Sequence, residues 1–344
     1  MISRILIVGL GSIGTRHLRL ARQLLPDADI RVLRRQPCDS VPEYANGCLQ
    51  SLAAAIDFAP QIAVIANPST LHMRAALPLA NAGAHLLVEK PLSATPENVG
   101  QLLTTCHKQK TVLLTGYNLR FLPSLQQFRN LLEQAVIGKV LSVRCEIGQY
   151  LPAWRPDNDY RQSVSARREL GGGALLELSL ERGYLRWIFG EVDWVNATLS
   201  RQSSLEINVE DTVHLLLGFQ PLSDGHQLIG SVSLDFIRRD TTRLCTAIGE
   251  YGSLRWNGLT GMVEQFEAGA NEWRTLFHYQ HQRDDSYLAE WRHFLACVAG
   301  RETALISGED GLKVLRIIEA AKLASETGGR ARVETGAAET GGSE

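Results

Sequence analysis

Apolar residues follow two different rhythms along this 344-residue chain. Over roughly the first third they come as short unbroken runs, at residues 4–8, 30–33, 61–66, 85–88 and 111–115. Between these runs, residues 13–25, 71–82 and 95–109 repeat apolar positions at helical spacing. Continuous apolar strands alternating with helices make βαβ units and a parallel sheet covered on both faces, with right-handed crossovers. After about residue 120 the period becomes two: residues 140–150, 192–200, 212–219, 227–236 and 242–249 alternate apolar with polar. That is the pattern of an antiparallel sheet with one covered face. One helix is predicted over 174–189, with others near 285–299 and 309–326. From residue 328 the chain (GGRARVETGAAETGGSE) is small, polar and repetitive, the composition of a disordered tail. The change of rhythm divides the chain into a domain at 1–120, a second at 121–327 and a tail at 328–344.

The first strand runs directly into Gly9-Leu10-Gly11-Ser12-Ile13-Gly14, and the first helix follows. This is G-x-G-x-x-G in the strand–turn–helix context that gives the motif its meaning. The first glycine permits the tight turn, the second lets the backbone approach a pyrophosphate, and the third lets the helix pack on the sheet. The helix N-terminus offers unpaired N–H groups to phosphate. Gly9, Gly11, Ser12, Ile13 and Gly14 are therefore expected to bind a dinucleotide, in a Rossmann domain. An acid some 20 residues further on would hold the 2′-hydroxyl of NAD. Arg34 and Arg35 stand there instead. Guanidinium suits a 2′-phosphate, so NADP is the preferred cofactor and NAD the alternative; a pair of arginines solvating a strand end is the competing explanation. Asn67-Pro68-Ser69 ends the 61–66 strand on the ligand side of the sheet and is expected to line the cofactor. His72 either joins them or packs and caps the next helix.

Composition narrows the classes. A formal net charge of −2 offers no general attraction to nucleic acid or to an acidic membrane. No apolar run approaches the roughly 20 residues that span a bilayer. The six cysteines (38, 48, 106, 145, 245 and 297) are scattered without a C-x-x-C pair, which predicts reduced thiols, a cytoplasmic setting and no metal site.

Taken together, GLGSIG (9–14), ANPSTLH (66–72), EKP (89–91), GYNLRF (116–121) and GGGALLEL (171–178) resemble the glucose–fructose oxidoreductase / inositol dehydrogenase / MocA family over nearly the whole chain, to about residue 327. The resemblance implies an N-terminal Rossmann domain and a C-terminal α/β domain with an open, mostly antiparallel sheet. It implies hydride transfer at a hydroxyl carbon of a sugar, cyclitol or nucleotide sugar, and homodimers or homotetramers. It makes Lys90 the active-site lysine beside the nicotinamide, followed by a proline often in cis. Glu89 is expected to orient backbone or cofactor. Asn118 and Arg120 are expected to join the domains and edge the cleft, Asn118 on the cofactor side and Arg120 on the substrate side.

Two departures stand out. The family pattern carries histidine where this chain has Leu180, and aspartate where it has Gly183. One positioned general acid–base is worth about 10² to 10⁴ in rate, so its loss slows chemistry without removing the proximity advantage. The replacement candidates are Lys90 alone, or Lys90 helped by a Glu or Tyr. Glu177 and Glu181, four apart on the predicted helix, would share a face; an ion-paired helix face is the equal alternative. On the substrate side the basic, aromatic loop offers Trp154, Arg155, Tyr160, Arg161 and Arg167, with Leu180 and Tyr184 from the helix. Arginine forks and aromatic faces suit an anionic sugar or nucleotide sugar, unless the arginines pair with Asp157, Asp159 and Glu169. Three functions follow: an NAD(P)-dependent oxidoreductase; an impaired relative that binds dinucleotide as a sensor or partner protein; and, third, an enzyme that oxidises transiently so that elimination can follow.

Overall fold

The computed structural model describes residues 2–35, 40–154 and 156–334. They form two compact units, Met1–Tyr117 with Leu288–Leu315, and Asn118–Tyr287 with Arg316–Glu334.

The first unit is built on a parallel sheet of β1 (Arg4–Val8), β2 (Asp29–Leu33), β3 (Gly47–Leu49), β4 (Ile62–Ile65), β5 (His85–Glu89) and β6 (Leu113–Gly116), in the order β3-β2-β1-β4-β5-β6. Helices α1 (Ser12–Leu24), α2 (Leu52–Asp57), α3 (His72–Asn81) and α4 (Val99–Gln109) connect the strands. Ile5, Leu6 and Ile7 of β1 and all of β4 are fully buried, as unbroken apolar strands covered on both faces must be. The strand order reverses between β1 and β4, which places the crevice for a ligand beyond their carboxyl ends.

The second unit holds α5 (Pro123–Glu133), α6 (Ala174–Glu177), α7 (Leu180–Phe189) and the strands β7 (Val140–Gly148), β8 (Val192–Ser200), β9 (Thr212–Phe219), β10 (Ile229–Asp235), β11 (Thr242–Gly249), β12 (Gly252–Asn257), β13 (Met262–Glu267) and β14 (Arg274–His278). Their pairings are antiparallel except β7 with β10. Val143, Cys145 and Ile147 of β7 and Val213, Leu215 and Leu217 of β9 form the buried face. Trp256 of β12 is fully buried and donates its indole N–H to Ser124 Oγ on α5 (3.0 Å). The outer face leaves Leu216 and Ile229 exposed.

Four expectations change. The helix predicted over 174–189 is two helices, because Leu178 leaves helical geometry (φ −94°, ψ 38°) before α7 begins. Residues 328–334 are ordered: β15 (Arg330–Arg332) pairs antiparallel with β8 at the sheet edge. The region near the C-terminus is shared, with α8 (Asp285–Val298) and α9 (Gly308–Thr327) supplying Leu288–Leu315 to the first unit. There Ile306 O accepts from Thr115 N (3.0 Å), and Gly308 and Gly311 lie so close to Leu113 and Leu92 that a Cβ would collide. Finally, Cys48 is disulfide-bonded, whereas Cys106, Cys145, Cys245 and Cys297 are free and buried; Cys38 lies outside the described residues. Among the described residues no helix is long and apolar enough to cross a membrane.

The edge strand has a measurable worth. Truncation after Thr327 removes the β8 pairing, the Asn196 Nδ2–Gly329 O bond (3.0 Å) and the Arg330 guanidinium over Trp194 (4.1 Å). We expect urea unfolding of the truncated chain to show a loss of about 2 kcal/mol, where a tail without structural role would cost nothing.

Candidate active site

The glycine turn after β1 is shaped by close backbone approach. Gly9 adopts φ +89°, and a Cβ there would lie 2.8 Å from the backbone of Asn67. A Cβ on Gly14 would lie 2.2 Å from Gly9 O. Around Gly11 nothing stands within 4 Å of such a Cβ, so this position faces open space. The first turn of α1, with Ser12 and Ile13, has no acidic residue and no side-chain cap. Its N–H groups point toward that space and suit an anion. Beside it, at the carboxyl end of β4, Asn67 Oδ1 and Ser69 Oγ are buried without a hydrogen-bond partner. An open glycine, an uncapped helix and two orphaned polar atoms together fit a dinucleotide. Pro68, between the two orphans, leads into the 3-10 turn at Ser69–Leu71.

Arg34 follows β2 directly. The Gly9 amide donates to Leu33 O (2.9 Å), which holds the end of β2 against the glycine turn. Arg34 is half-buried, its amide donating to Leu49 O (3.2 Å), and Arg35 is exposed. From the end of β2 to the end of β5 is three inter-strand steps, about 14 Å, and Lys90 stands at the far end of that span.

Lys90 follows β5, half-buried, and the Lys90–Pro91 peptide is cis. Glu89 before it is 5% exposed. One oxygen, Oε1, meets His17 Nε2 (2.7 Å), and Oε2 accepts the Lys90 amide (3.1 Å). Gly116 on β6 lies opposite Glu89, and a Cβ there would crowd its carboxylate at 3.3 Å. Burial alone would raise the pKa of Glu89, but the His17 bond and the nearby charges outweigh it and hold the carboxyl below its ordinary value. Its carboxylate is thus engaged inside the fold, on His17 and on the backbone of Lys90, the backbone role being one of the two expected of it. His72 is engaged likewise. It is 1% exposed, with Nε2 on Asn67 O (2.8 Å) and Nδ1 facing Leu92 O (3.3 Å), and burial lowers its basicity. It lies between the loop after β4 and the loop after Pro91, the packing role that was its alternative.

Three residues of this site were missed in the sequence. Trp291 on α8 donates its indole N–H to His17 Nδ1 (2.9 Å), and both are fully buried. Glu290 beside it is fully buried with neither carboxyl oxygen partnered, and burial and the charge of Glu89 raise it well above the usual carboxylate range. Only His17 had a sequence signal, its place three residues after Gly14 on the buried face of α1.

In the second unit most candidates are anchored inside. Asn118 Nδ2 donates to Ser286 Oγ (2.8 Å). Arg120 is 2% exposed, its Nη2 on Gly183 O (2.8 Å) and its guanidinium over Trp187 (5.6 Å). Tyr184 is fully buried with its hydroxyl against Cys145 Sγ (3.0 Å), so it does not line a substrate site. Glu181 is also fully buried and ion-paired to Arg243 (3.0 Å). Because of the break between α6 and α7, Glu177 and Glu181 do not share a helix face. Glu177 accepts from Ser165 Oγ (3.0 Å), and Leu180 is half-buried.

The basic loop proves to be self-neutralised. Arg161 pairs with Asp159 (2.8 Å) and Glu206 (3.2 Å). Arg167 pairs with Glu169 (3.6 Å) and bonds Arg161 O and Gln162 Oε1. The expectation of a free anion-binding fork is corrected here, because Asp159 and Glu169 of the loop and Glu206 facing it occupy these arginines. Arg155 lies outside the described residues. A cavity of about 340 Å³ opens in this loop, lined by Leu151, Trp154, Asn158, Tyr160, Gln162 and Ser165 among others. The wall combines Leu151, the Trp154 indole and the Tyr160 ring with uncharged polar groups, and Asp159 is engaged by Arg161. Among the described residues no cluster of histidine, cysteine and acidic side chains could hold a metal ion.

Comparison with known proteins gives the same architecture. Residues 3–117 match the family described as "Oxidoreductase family, NAD-binding Rossmann fold", and residues 129–335 the one described as "Oxidoreductase family, C-terminal alpha/beta domain". The chain spans 37% and 35% of the first two curated relatives that it matches; the second, a levoglucosan dehydrogenase of Pseudarthrobacter phenanthrenivorans, is 32% identical over 138 residues, 40% of this chain. A myo-inositol 2-dehydrogenase of Thermotoga maritima is 26% identical over 94% of this chain and 96% of its own. Among solved structures, a levoglucosan dehydrogenase in complex with NADH superposes with a TM-score of 0.83 at 21% identity, covering 96% of this chain and 99% of its own. The WlbA dehydrogenase of Bordetella pertussis, in complex with NADH and UDP-GlcNAcA, gives 0.78 at 21% identity, over 98% and 100% of the two chains. At those identities the likeness establishes a shared fold.

Two outcomes test the geometry. Gly11→Val is expected to leave unfolding stability within about 0.5 kcal/mol, while weakening reduced-dinucleotide binding at least about tenfold in a fluorescence titration. Gly14→Val meets backbone at once, and we expect it to lose about 2 kcal/mol or more of stability. The second outcome concerns Glu290. A raised acid keeps its proton in the fold while the unfolded chain ionises near pH 4.3. The folded state then binds the extra proton, so stability falls as pH rises above about 4.3, by about 1.4 kcal/mol per pH unit until the buried group ionises. Urea unfolding of Glu290→Gln across that range is expected to lack this slope.

Proposed function

The chain belongs to the Gfo/Idh/MocA oxidoreductase family, and from that membership we propose that it is an NAD(P)-dependent enzyme moving hydride to or from a hydroxyl or keto carbon of a sugar, cyclitol or nucleotide sugar. The observation that carries this reading is the placement of the glycine cradle and of Lys90 at the carboxyl ends of β1 and β5, with β4 between them in one parallel sheet. The names of its relatives, dehydrogenases of levoglucosan and myo-inositol, point the same way.

A bound nicotinamide supplies the hydride donor or acceptor. The chain does the rest. Gly9, Gly11 and the first turn of α1 receive the pyrophosphate; Asn67 Oδ1 and Ser69 Oγ gain the partners they lack. Lys90 Nζ donates a hydrogen bond to the reacting oxygen. In reduction the ammonium polarises the carbonyl and gives its proton to the oxygen; in oxidation the neutral amine accepts the hydroxyl proton as the carbon loses hydride to the nicotinamide. NADP is the cofactor this reading prefers, because Arg34 and Arg35 end β2 where an acid would otherwise meet the ribose. With Arg161 and Arg167 engaged by Asp159, Glu206 and Glu169, the cavity near Trp154 suits neutral hydroxyls better than an anionic group. The exposed Leu216 and Ile229 on the outer sheet face support self-association as a homodimer or homotetramer.

A second reading, a dinucleotide-binding sensor or partner protein, is favoured by α7. Leu180 carries no proton, and Glu181 and Tyr184 are locked into the interior.

In fluorescence titrations NADPH is expected to bind more tightly than NADH, with Arg34→Ala erasing the difference; equal affinities in the parent chain would remove the NADP preference. Across a panel of neutral sugars, cyclitols and nucleotide sugars, nicotinamide absorbance is expected to change, and Lys90→Ala to slow that change by about 10² to 10⁴ while dinucleotide still binds. A silent panel, with turnover appearing in Leu180→His, would select the sensor.

A further inference from the structure

Behind Lys90 lies a continuous buried hydrogen-bond path that begins on a helix some two hundred residues away in sequence. Trp291 Nε1 on α8 is 2.9 Å from His17 Nδ1 on α1. His17 Nε2 is 2.7 Å from Glu89 Oε1, and Glu89 Oε2 accepts the Lys90 amide at 3.1 Å. Trp291 and His17 are fully buried, and Glu89 is 5% exposed. All four residues belong to the first unit.

The chemistry of the path has one direction. An indole N–H can only donate, so His17 Nδ1 must accept and its ring proton must sit on Nε2. That proton faces Glu89 Oε1 and makes a charge-assisted bond. Glu89 is thereby held as a carboxylate with its second oxygen free to fix the backbone of Lys90. Glu290, the neighbour of Trp291, faces the same carboxylate and carries no partner of its own. A neutral Glu290 leaves Glu89 as the one negative charge of this pair.

We propose that Trp291 and His17 are positioning residues for Lys90: the indole sets the imidazole tautomer, the imidazole holds Glu89, and Glu89 fixes the turn that aims the lysine. The catalytic turn in the N-terminal sheet is therefore completed by α8. The inference rests on the reading of Lys90 as the active-site group, and its test needs no substrate.

The test uses the full chain with 15N-labelled histidine. The parent is expected to show His17 protonated at Nε2 and unprotonated at Nδ1. In Trp291→Phe the tautomer is no longer imposed, and the Lys90 amide is expected to exchange with solvent at least about tenfold faster, the loss of one hydrogen bond. His17→Gln can donate to Glu89 and accept from Trp291, so slow Lys90 exchange is expected to return relative to His17→Ala. A proton on Nδ1 in the parent, or Lys90 exchange unchanged in both Trp291→Phe and His17→Ala, would overturn the proposal. Where a turnover substrate is in hand, kcat is expected to fall in Trp291→Phe with the dinucleotide KM within about twofold. Absence of turnover in the parent counts against the enzymatic reading alone, since the tautomer and exchange measurements stand without it.

Discussion

The first unit depends on one steric contact, the passage of the turn after β1 against the end of β4. Asn67 occupies the volume that a side chain at Gly9 would take, and Gly9 O occupies the volume of one at Gly14. Backbone packed that closely cannot slide, so the carboxyl ends of β1, β2 and β4 keep a fixed spacing. Everything chemical follows from that spacing. Arg34, the glycine cradle, Asn67 and Lys90 each sit one residue or a few past a strand end, and the sheet holds the strand ends. His72 extends the same logic to the loop after β4, since its buried ring lies 2.8 Å from Asn67 O. A ligand laid across these strands therefore meets groups whose separation the core has already set, at little cost in reorganisation.

How much of this was legible depended on whether the cause was local. β8, β9 and β11 run where period-two alternation put them, because one covered face writes itself into every second residue. β12 and β13 were not read: Arg255 and Glu264 pair across the two strands, and such charged, half-buried positions blur the alternation. β3 has three residues, too few for a period. The break at Leu178 leaves the apolar repeat intact and so leaves no trace in the pattern. The glycine cradle and Lys90 were legible because their backbone demands restrict residue type. Trp291 and Glu290 were not, because periodicity says that a helix face is buried and not what it is buried against.

The triple glycine has a comparable steric origin in the second unit. Gly171 and Gly173 take φ of +84° and +106°, and a Cβ on Gly172 would lie 2.3 Å from Val164 O. Glu210 fills the space beside Gly173 and accepts the Leu175 amide, so it caps α6 where no side chain of the helix itself does. The loop over 160–170 is thereby pressed onto α6. Its arginines, which read in sequence as an open anion site, find Asp159, Glu169 and Glu206 within the same fold segment or facing it. Exposed pairs of this kind add little stability, about 0 to 1 kcal/mol. Their effect is on recognition, because the arginines beside the cavity already hold carboxylate partners.

The departure at position 180 is chemical and not architectural. α7 is fixed by contacts that do not involve Leu180: Glu181 to Arg243, the Tyr184 hydroxyl to Cys145, and Gly183 O to Arg120. Breaking a buried pair such as Glu181–Arg243 costs about 3 to 5 kcal/mol, so the helix is held whatever side chain stands one residue earlier. A leucine there leaves the fold intact and takes away only a proton carrier. Neither of the nearby polar groups can assume that task, since Glu181 is committed to its ion pair and Tyr184 to the core. On the proposed reading proton handling falls to Lys90, which stands on a turn braced by a buried carboxylate and imidazole. A site with one proton carrier gains most from fixing that carrier in space, which is the role proposed for the path from α8 through His17 and Glu89.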